Sequence, residues 1–187
     1  MGLGQSVIAQ RFNITERDLE SYLAEAMSSG GEYADLYFEY LSNTSITVDE
    51  GIVKSASQGV SLGVGVRVVA GERTGYGYSD DLSPEKIRAA AKVAAKIAEG
   101  PSSIAKSGFT EAARHNLYPM LATPHDASLA ERVDLVRRAD VAARAADSRV
   151  FQVIATYADS IRHVLVATTE GRVDRKRTRL NSSHTDI

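Results

Sequence analysis

Histidines are the first residues to consider for metal or acid–base chemistry in this chain of 187 residues. There are four, and the closest two are ten positions apart: His115, His125, His163 and His184. Two zinc ligands on one face of a helix are four positions apart, as in H-E-x-x-H, and no such motif occurs. His163 alternates with apolar residues and is typical of a packed strand. The sequence therefore predicts no local metal site.

Other catalytic groups are equally sparse. There is no cysteine, which excludes a thiol nucleophile and disulfides. The carboxylate pairs Asp49-Glu50 and Asp80-Asp81 stand beside turn residues, where such side chains shape hairpins and cap helices. We expect no catalytic, cofactor-binding or metal-binding residue within this sequence.

Glycines are concentrated in "GVSLGVGVRVVAGERTGYGYSDD", residues 59–81. A dinucleotide site requires G-x-G-x-x-G after a strand and at the start of a helix. Both G-x-G spacings here lack the third glycine and neither leads into a helix. No G-x-x-x-x-G-K-[ST] motif occurs either, so nucleotide binding is excluded.

The same stretch alternates as two strands of a hairpin. Apolar residues from Val60 to Val68 point to one face, and glycines point to the other. With a two-residue turn near Gly71, we expect the tyrosines of the second strand to cover the glycines of the first. This predicts a sheet patch made of Gly63, Gly65, Tyr76 and Tyr78.

A patch without side chains lets another backbone approach closely. The neighbour is either an alanine-rich helix of the same chain, a partner subunit or an extended peptide. Internal packing by the chain's own helix is the commoner use of such glycines, and the patch is a candidate peptide- or partner-facing surface in the other two cases.

The elements that position this patch predict an α+β fold. An amino-terminal helix begins at the capping box Thr15–Asp18, and a second helix begins at Ser83-Pro84 and packs on the sheet. Between them we expect an antiparallel β-meander of four to five strands, near 33–41, 44–49, 52–57, 59–69 and 73–79. A partial second α-β-β lobe follows, with a helix from Ser128 and two strands.

Composition limits the function classes. The net charge is −2, which disfavours nucleic-acid binding, and no apolar run is long enough to span a membrane. We expect a cytoplasmic protein. The one basic cluster, Arg175 to Arg179, is near the carboxyl end and is expected to be a solvated tail.

Longer stretches resemble the amino-terminal region of the TldD/PmbA (TldE) metallopeptidase family. The similarity is carried by "ADLYFE", the turn "DEG", "GVGVRVVAGERTGYGYSDDLS" and "AERVDLVRRADVAARAADSRVFQVIATYADSIRHVLVATTEGR". It covers about residues 15–173. The resemblance implies a subunit that binds zinc in its carboxy-terminal domain through H-E-x-x-x-H, pairs with a TldE/PmbA-like subunit or with itself, and cleaves small unfolded peptides. None of those zinc ligands can be placed on a residue of this sequence.

The resemblance also predicts the organisation of the chain. We expect five segments: a flexible terminus 1–14, the family's amino-terminal domain 15–99, a connector 100–127, the start of the central domain 128–173 and a non-native tail 174–187. The chain would then be a fragment without the metal site and without activity, with apolar side chains on an open edge at Val153, Ile154, Val164, Leu165 and Val166. A stand-alone module that binds a peptide or partner without catalysis is the alternative.

Overall fold

The computed structural model describes residues 3, 6–99, 110–111 and 123–186. The helices are α1 (Val7–Phe12), α2 (Glu16–Ala26), α3 (Pro84–Ile97) and α4 (Leu129–Ala146), with a short 3-10 helix at Pro124–Asp126. The strands are β1 (Tyr33–Asp49), β2 (Ile52–Ala70), β3 (Arg73–Ser79), β4 (Thr110–Glu111), β5 (Ile154–Thr168) and β6 (Arg172–Asp186).

Within the described residues the strands form one six-stranded sheet in the order β3-β2-β1-β5-β6-β4. β2 and β3 are antiparallel neighbours, whereas the short β4 is parallel to β6. The element order of helices, antiparallel strands, packing helix, helix and further strands confirms the predicted α+β class.

Two predicted strand interruptions are wrong. β1 continues through Ser42-Asn43, and β2 continues through Gln58-Gly59. In β1 the alternation of burial is unbroken there, because Ser42 and Thr44 are buried while Asn43 is exposed between them. A short polar side chain on the solvent face leaves the backbone ladder intact, so turn-forming composition alone does not end a strand.

The turns that do reverse the chain carry left-handed backbone. Glu50 and Gly51 have φ values of 53° and 72°, and Gly71 has a φ of 59°. At Glu50-Gly51 both central residues have positive φ, and at Gly71-Glu72 the first one does. Both geometries match the twist of a two-residue hairpin, and glycine adopts positive φ without strain.

Helix starts follow the sequence signals closely. Thr15 caps α2: its Oγ1 accepts from Asp18 N at 3.2 Å, and Asp18 Oδ2 accepts from Thr15 N at 2.9 Å. Ser128 and Glu131 form the same reciprocal capping box at α4. The segment predicted as a flexible terminus contains the additional helix α1, whose Ile8 is buried.

Contacts divide the chain into two compact units. Unit 1 contains residues 1–41, 61–114 and 162–178. Its core joins the apolar faces of α2 and α3 to the inner face of the strands, including Leu19, Tyr22, Phe38, Val66, Ile87 and Leu165. Unit 1 therefore holds the predicted glycine patch.

Unit 2 contains residues 42–60, 115–161 and 179–187. Its apolar core is smaller: Ile46 and Val48 of β1, Val136 of α4 and Ala155 of β5. The inner face of α4 is partly polar, because Arg132 and Asp140 are buried beside Val136. The tip of the β1–β2 hairpin, residues 42–60, therefore packs with α4 in unit 2.

The prediction of an open apolar edge is also wrong in part. Val153, Val164 and Leu165 are buried within the chain, and Ile154 and Val166 are half-buried. β6 lies next to β5 in the sheet, so β5 is not an edge strand. Most of the predicted connector 100–127 lies outside the described residues, and the five predicted segment boundaries stay predictions.

Candidate functional site

The hairpin of β2 and β3 has the expected two-residue turn. Ala70 pairs with Arg73 across Gly71-Glu72, and the register then places Gly65 opposite Tyr78 and Val66 opposite Gly77. Directly opposed residues of an antiparallel pair point to the same face. Gly65 and Tyr78 therefore share the outer face of unit 1, and Val66 and Gly77 share the inner face.

One detail of the predicted patch is wrong. Tyr76 lies opposite Arg67, rather than opposite a glycine. Only Tyr78 covers Gly65 as expected. The reason is arithmetic: with Ala70 opposite Arg73, moving two positions from Tyr78 to Tyr76 reaches Arg67, because antiparallel partners move in opposite directions.

The two glycines of β3 have a different neighbour. Gly75 and Gly77 are buried and face α3. A Cβ atom built on Gly75 would lie 2.0 Å from the carbonyl oxygen of Ala94, and one on Gly77 would lie 2.1 Å from that of Ala90. These two glycines let an alanine-rich helix approach the sheet, which is the internal packing that the sequence favoured.

Gly65 has no such neighbour. A Cβ atom built there would meet only the carbonyl oxygen of Tyr37, at 4.0 Å, which is an ordinary contact distance. Gly63 is tighter, since its Cβ would lie 3.0 Å from the carbonyl oxygen of Ser79. The internal-packing explanation therefore covers Gly75 and Gly77 and leaves Gly65 without one.

A groove of about 390 Å³ runs over these outer glycines. It lies wholly within unit 1. Its lining comes from β1, β2 and the end of β3: Tyr37, Glu39, Ser61, Leu62, Gly63, Val64, Gly65, Tyr78, Ser79 and Asp80. Three of the four predicted patch residues line it, and Tyr76 is the exception.

Polar contacts fix the side chains of β1 in this groove. The Tyr37 hydroxyl donates to Glu39 Oε2 at 2.9 Å, and Arg162 Nε lies 3.5 Å from the same oxygen. Burial raises the pKa of the Tyr37 phenol, and its hydrogen bond to the Glu39 carboxylate raises it further. Tyr37 thus remains a neutral donor at physiological pH.

A second ion pair lies on the same face next to the groove. Arg67 Nε donates to Asp35 Oδ2 at 2.7 Å, and the guanidinium carbon is 5.7 Å from the centre of the Tyr33 ring. Hydrogen bonding to Asp35 raises the pKa of Arg67, and burial raises the pKa of Tyr33. The Arg67 guanidinium is therefore already engaged by Asp35 and Tyr33.

Sequence reasoning missed the acidic lining of the groove. Asp80 and Asp81 were both expected to have structural roles, and Asp81 does: its Oδ1 accepts from Ser83 N at 2.8 Å, just before α3. Asp80 is exposed, and among the described residues its carboxylate has no hydrogen bond or ion pair. The alternation Tyr37-Phe38-Glu39-Tyr40 was the available signal, because it places Tyr37 and Glu39 on the outer face.

The sequence predicts no local metal site, and the structure bears on this prediction only for the residues that it describes. There, no three side chains among His, Cys, Asp and Glu come together in a group that could hold a metal ion. The ring centre of His163 lies 6.2 Å from that of Tyr40, and the guanidinium carbon of Arg11 lies 4.8 Å from the centre of the same tyrosine ring. The side chains of the other three histidines lie outside the described part. No described helix is long and apolar enough to cross a bilayer.

Two successive domains of one family match the chain in order. Residues 34–98 match the PmbA/TldA metallopeptidase domain 1, and residues 122–184 match the PmbA/TldA metallopeptidase central domain. Together they cover more than half of the chain. The second match continues beyond residue 174, into the segment predicted as a non-native tail.

Curated relatives agree with this. The chain is 30% identical over 160 residues to the metalloprotease TldD homolog of Buchnera aphidicola from Schizaphis graminum, covering 86% of this chain and 33% of that protein. It is 31% identical over 142 residues to the TldD homolog of Haemophilus influenzae, covering 75% and 30%. The chain spans about a third of the length of these relatives.

Solved structures share the fold at low identity. A candidate modulator of DNA gyrase from Bacteroides thetaiotaomicron superposes with a TM-score of 0.72 at 14% identity, over 91% of this chain and 40% of that one. TldE from Thermococcus kodakarensis superposes with a TM-score of 0.57 at 18% identity, over 90% and 42%. The chain belongs to the PmbA/TldD metallopeptidase family, of which it represents the amino-terminal region.

Proposed function

We propose that this chain is the amino-terminal part of a TldD-like zinc metallopeptidase subunit that degrades or processes small unfolded peptides in the cytoplasm. The observation that carries this is the ordered match to two domains of the family, together with about 30% identity to TldD homologs over 160 residues. The chain corresponds to only a third of those relatives, so the chemistry is assigned to the remainder of the subunit.

The residues in hand do not fit a catalytic zinc. A catalytic site needs three protein ligands, and no such group of potential ligands is present among the described residues. No step of peptide hydrolysis is therefore assigned to a side chain of this chain. Zinc would be held by the parent's carboxy-terminal domain, and this fragment would be inactive alone.

The contribution of this region would be a binding surface. Gly63, Gly65, Tyr76 and Tyr78 form an outer patch that faces a peptide or a partner, which is a TldE/PmbA-like subunit or a second copy. Tyr76 and Tyr78 are 63% and 85% exposed. Exposed aromatic side chains beside open backbone are typical of surfaces that bind other chains.

The test compares two proteins: this chain, and the same sequence extended to the full length of its relatives and mixed with a TldE/PmbA-like subunit. Each is assayed for zinc content and for cleavage of a small unfolded protein. We expect the extended complex to contain zinc and to cleave, and a chelator to stop it. The 187-residue chain should show neither property. Tight stoichiometric zinc on the short chain, or no cleavage by the zinc-loaded complex, would overturn the proposal.

The open groove favours a second candidate function, a stand-alone module that binds a peptide or partner without catalysis. This candidate predicts that the chain by itself binds peptides while the extended form has no peptidase activity. The same pair of assays distinguishes the two functions.

A further inference from the structure

The shape of the groove on unit 1 suits one long side chain and its flanking backbone. Its volume, about 390 Å³, lies near the lower end of the range for small-molecule sites. The floor is the backbone at Gly63 and Gly65. A groove of this volume is too small for a folded partner to enter, and it is open enough for an extended segment.

The openness of Gly65 is not required by the fold. Its backbone is ordinary strand, and an added Cβ would meet nothing closer than 4.0 Å. A side chain there would usually favour a strand over glycine, since glycine weakens strand interiors. A free floor at this position therefore has a use outside the packing of unit 1.

Aromatic rings form the walls. Tyr78 is 85% exposed and Tyr37 is 40% exposed, and both line the groove. The faces of tyrosine rings attract cations and also pack against methylene groups. Lysine and arginine side chains offer both, because a charged group ends an aliphatic stem.

The charges of the groove lining also favour a lysine or arginine side chain. Glu39 and Asp80 line the groove, and among the residues that the structure describes no lysine or arginine does. Asp80 has no partner among the described residues, and the contacts of Glu39 with Tyr37 and Arg162 use a single oxygen, Oε2. The nearby Arg67 is held by Asp35. Arg162 offsets part of the charge of Glu39, so the net negative charge of the lining comes chiefly from the unpaired Asp80 carboxylate, and it is complementary to a positive group.

We propose that this groove binds the lysine or arginine side chain of an extended peptide. The aliphatic stem would lie over Gly63 and Gly65 between the tyrosine rings, and the charged group would lie near Asp80 and Glu39. This inference rests on the proposed function, in which the patch faces peptides, and it adds the chemistry of the side chain that the patch selects.

The experiment measures binding of three seven-residue alanine-based peptides to the 187-residue chain, with lysine, norleucine or glutamate at the centre. Norleucine keeps the stem and removes the charge. We expect the lysine peptide to bind at least several-fold more tightly than norleucine, the glutamate peptide to bind least, and added salt to narrow the difference. Equal binding of all three would overturn the inference.

Variants place the binding in the groove. Asp80→Asn should weaken the lysine peptide about two- to fivefold and leave the norleucine peptide unchanged, as expected for an exposed ion pair. Gly65→Val should weaken both peptides by filling the floor. Glu72→Gln removes a charge in the turn of the same hairpin, outside the lining, and should change neither. An unaltered thermal unfolding profile for each variant shows that its fold is kept.

Three further outcomes test the groove inference or the proposed function. If the chain instead self-associates and Gly65→Val abolishes the association, the surface is an interface between copies and the inference is wrong. Failure of the parent's peptidase assay with retained lysine selectivity would refute the proposed function alone. Active peptidase without lysine selectivity in this chain would refute the groove inference alone.

Discussion

Gly77 of β3 lies directly against Ala90 of α3, so closely that a single added methyl group would be 2.1 Å from the alanine carbonyl oxygen. Gly75 stands in the same relation to Ala94, at 2.0 Å. Two residues along a strand span about 6.7 Å, and four along a helix span about 6 Å. The two spacings match, and this is why two glycines and two alanines on antiparallel paths can meet twice.

This contact predicts that Gly77→Ala strongly destabilises unit 1. The new methyl group would meet backbone, which cannot rotate away, so α3 would have to move off the sheet. Overpacking of a buried site typically costs about 1–3 kcal/mol, and backbone clashes belong at or above the upper end. The measurement is urea denaturation followed by circular dichroism.

The matched control is Gly65→Ala on the neighbouring strand. A methyl group there has space, and replacing glycine also reduces the freedom of the unfolded chain. We expect a change within about 0.5 kcal/mol, or a small gain in stability. Equal losses for the two variants would show that the hairpin tolerates no side chain on either face, contrary to the packing described.

A buried ion pair in unit 2 gives the second prediction. Arg132 Nη1 lies 3.1 Å from Asp159 Oδ2 and also donates to Thr44 Oγ1 at 2.8 Å. The side chains of Arg132 and Asp159 are 7% and 0% exposed. Asp159→Ala would leave the guanidinium buried without its counter-charge, so we expect a loss of about 3–5 kcal/mol in urea denaturation.

The double variant Arg132→Met, Asp159→Leu separates charge from packing. Because both charges are removed together, it should lose much less stability than Asp159→Ala, and a gain is compatible with the physics of buried pairs. Thr44→Val removes only one hydrogen bond and should cost about 1 kcal/mol. A double variant as unstable as the single one would mean that the pair holds α4 by shape rather than by charge compensation.

The Tyr37 phenol provides a third prediction, inside the groove. Its pKa is raised above 10.0 first by burial and then by the hydrogen bond and charge of Glu39. Glu39→Gln removes the negative charge and leaves the nearby Arg162 without its counter-charge, so the pKa of Tyr37 should fall. Ultraviolet difference titration of the two proteins, with Tyr37→Phe to assign the signal, measures this. An unchanged titration would mean that Glu39 does not contact Tyr37 in solution.

Local signals predicted the ends of the elements well. The capping boxes at Thr15 and Ser128 and the turn at Gly71 depend on residues within a few positions of each other, and all three occur as expected. The strand breaks at Ser42-Asn43 and Gln58-Gly59 were predicted from composition and do not occur. Whether a polar residue ends a strand depends on the face it occupies, which is decided by tertiary packing.

The groove could be predicted only in part for the same reason. Alternation placed Gly63, Gly65 and Tyr78 on one face, and the hairpin turn set their register. The contribution of β1 through Tyr37 and Glu39 depends on which strands become neighbours, and the position of Asp80 depends on where β3 ends. Likewise, the division of the four glycines into Gly75 and Gly77, which pack against α3, and Gly63 and Gly65, which lie on the other face, follows from the side of the sheet that α3 covers, which no local pattern encodes.

Acid should weaken the start of α2 through Asp18. Hydrogen bonds from Thr15 hold the pKa of Asp18 below its ordinary value of 3.8. A carboxyl group with a lowered folded-state pKa contributes stability that is fully present above the unfolded value and is lost as the pH falls through the folded value. The stability difference between the natural chain and Asp18→Ala should therefore be constant from pH 7 to about 5 and shrink below pH 4.

Thr15→Ala, which removes the other half of the box, should cost about 1 kcal/mol near neutral pH. Urea denaturation at pH 7, 5 and 3 measures both effects, and a difference for Asp18→Ala that persists undiminished at pH 3 would mean that its charge has no part in the cap.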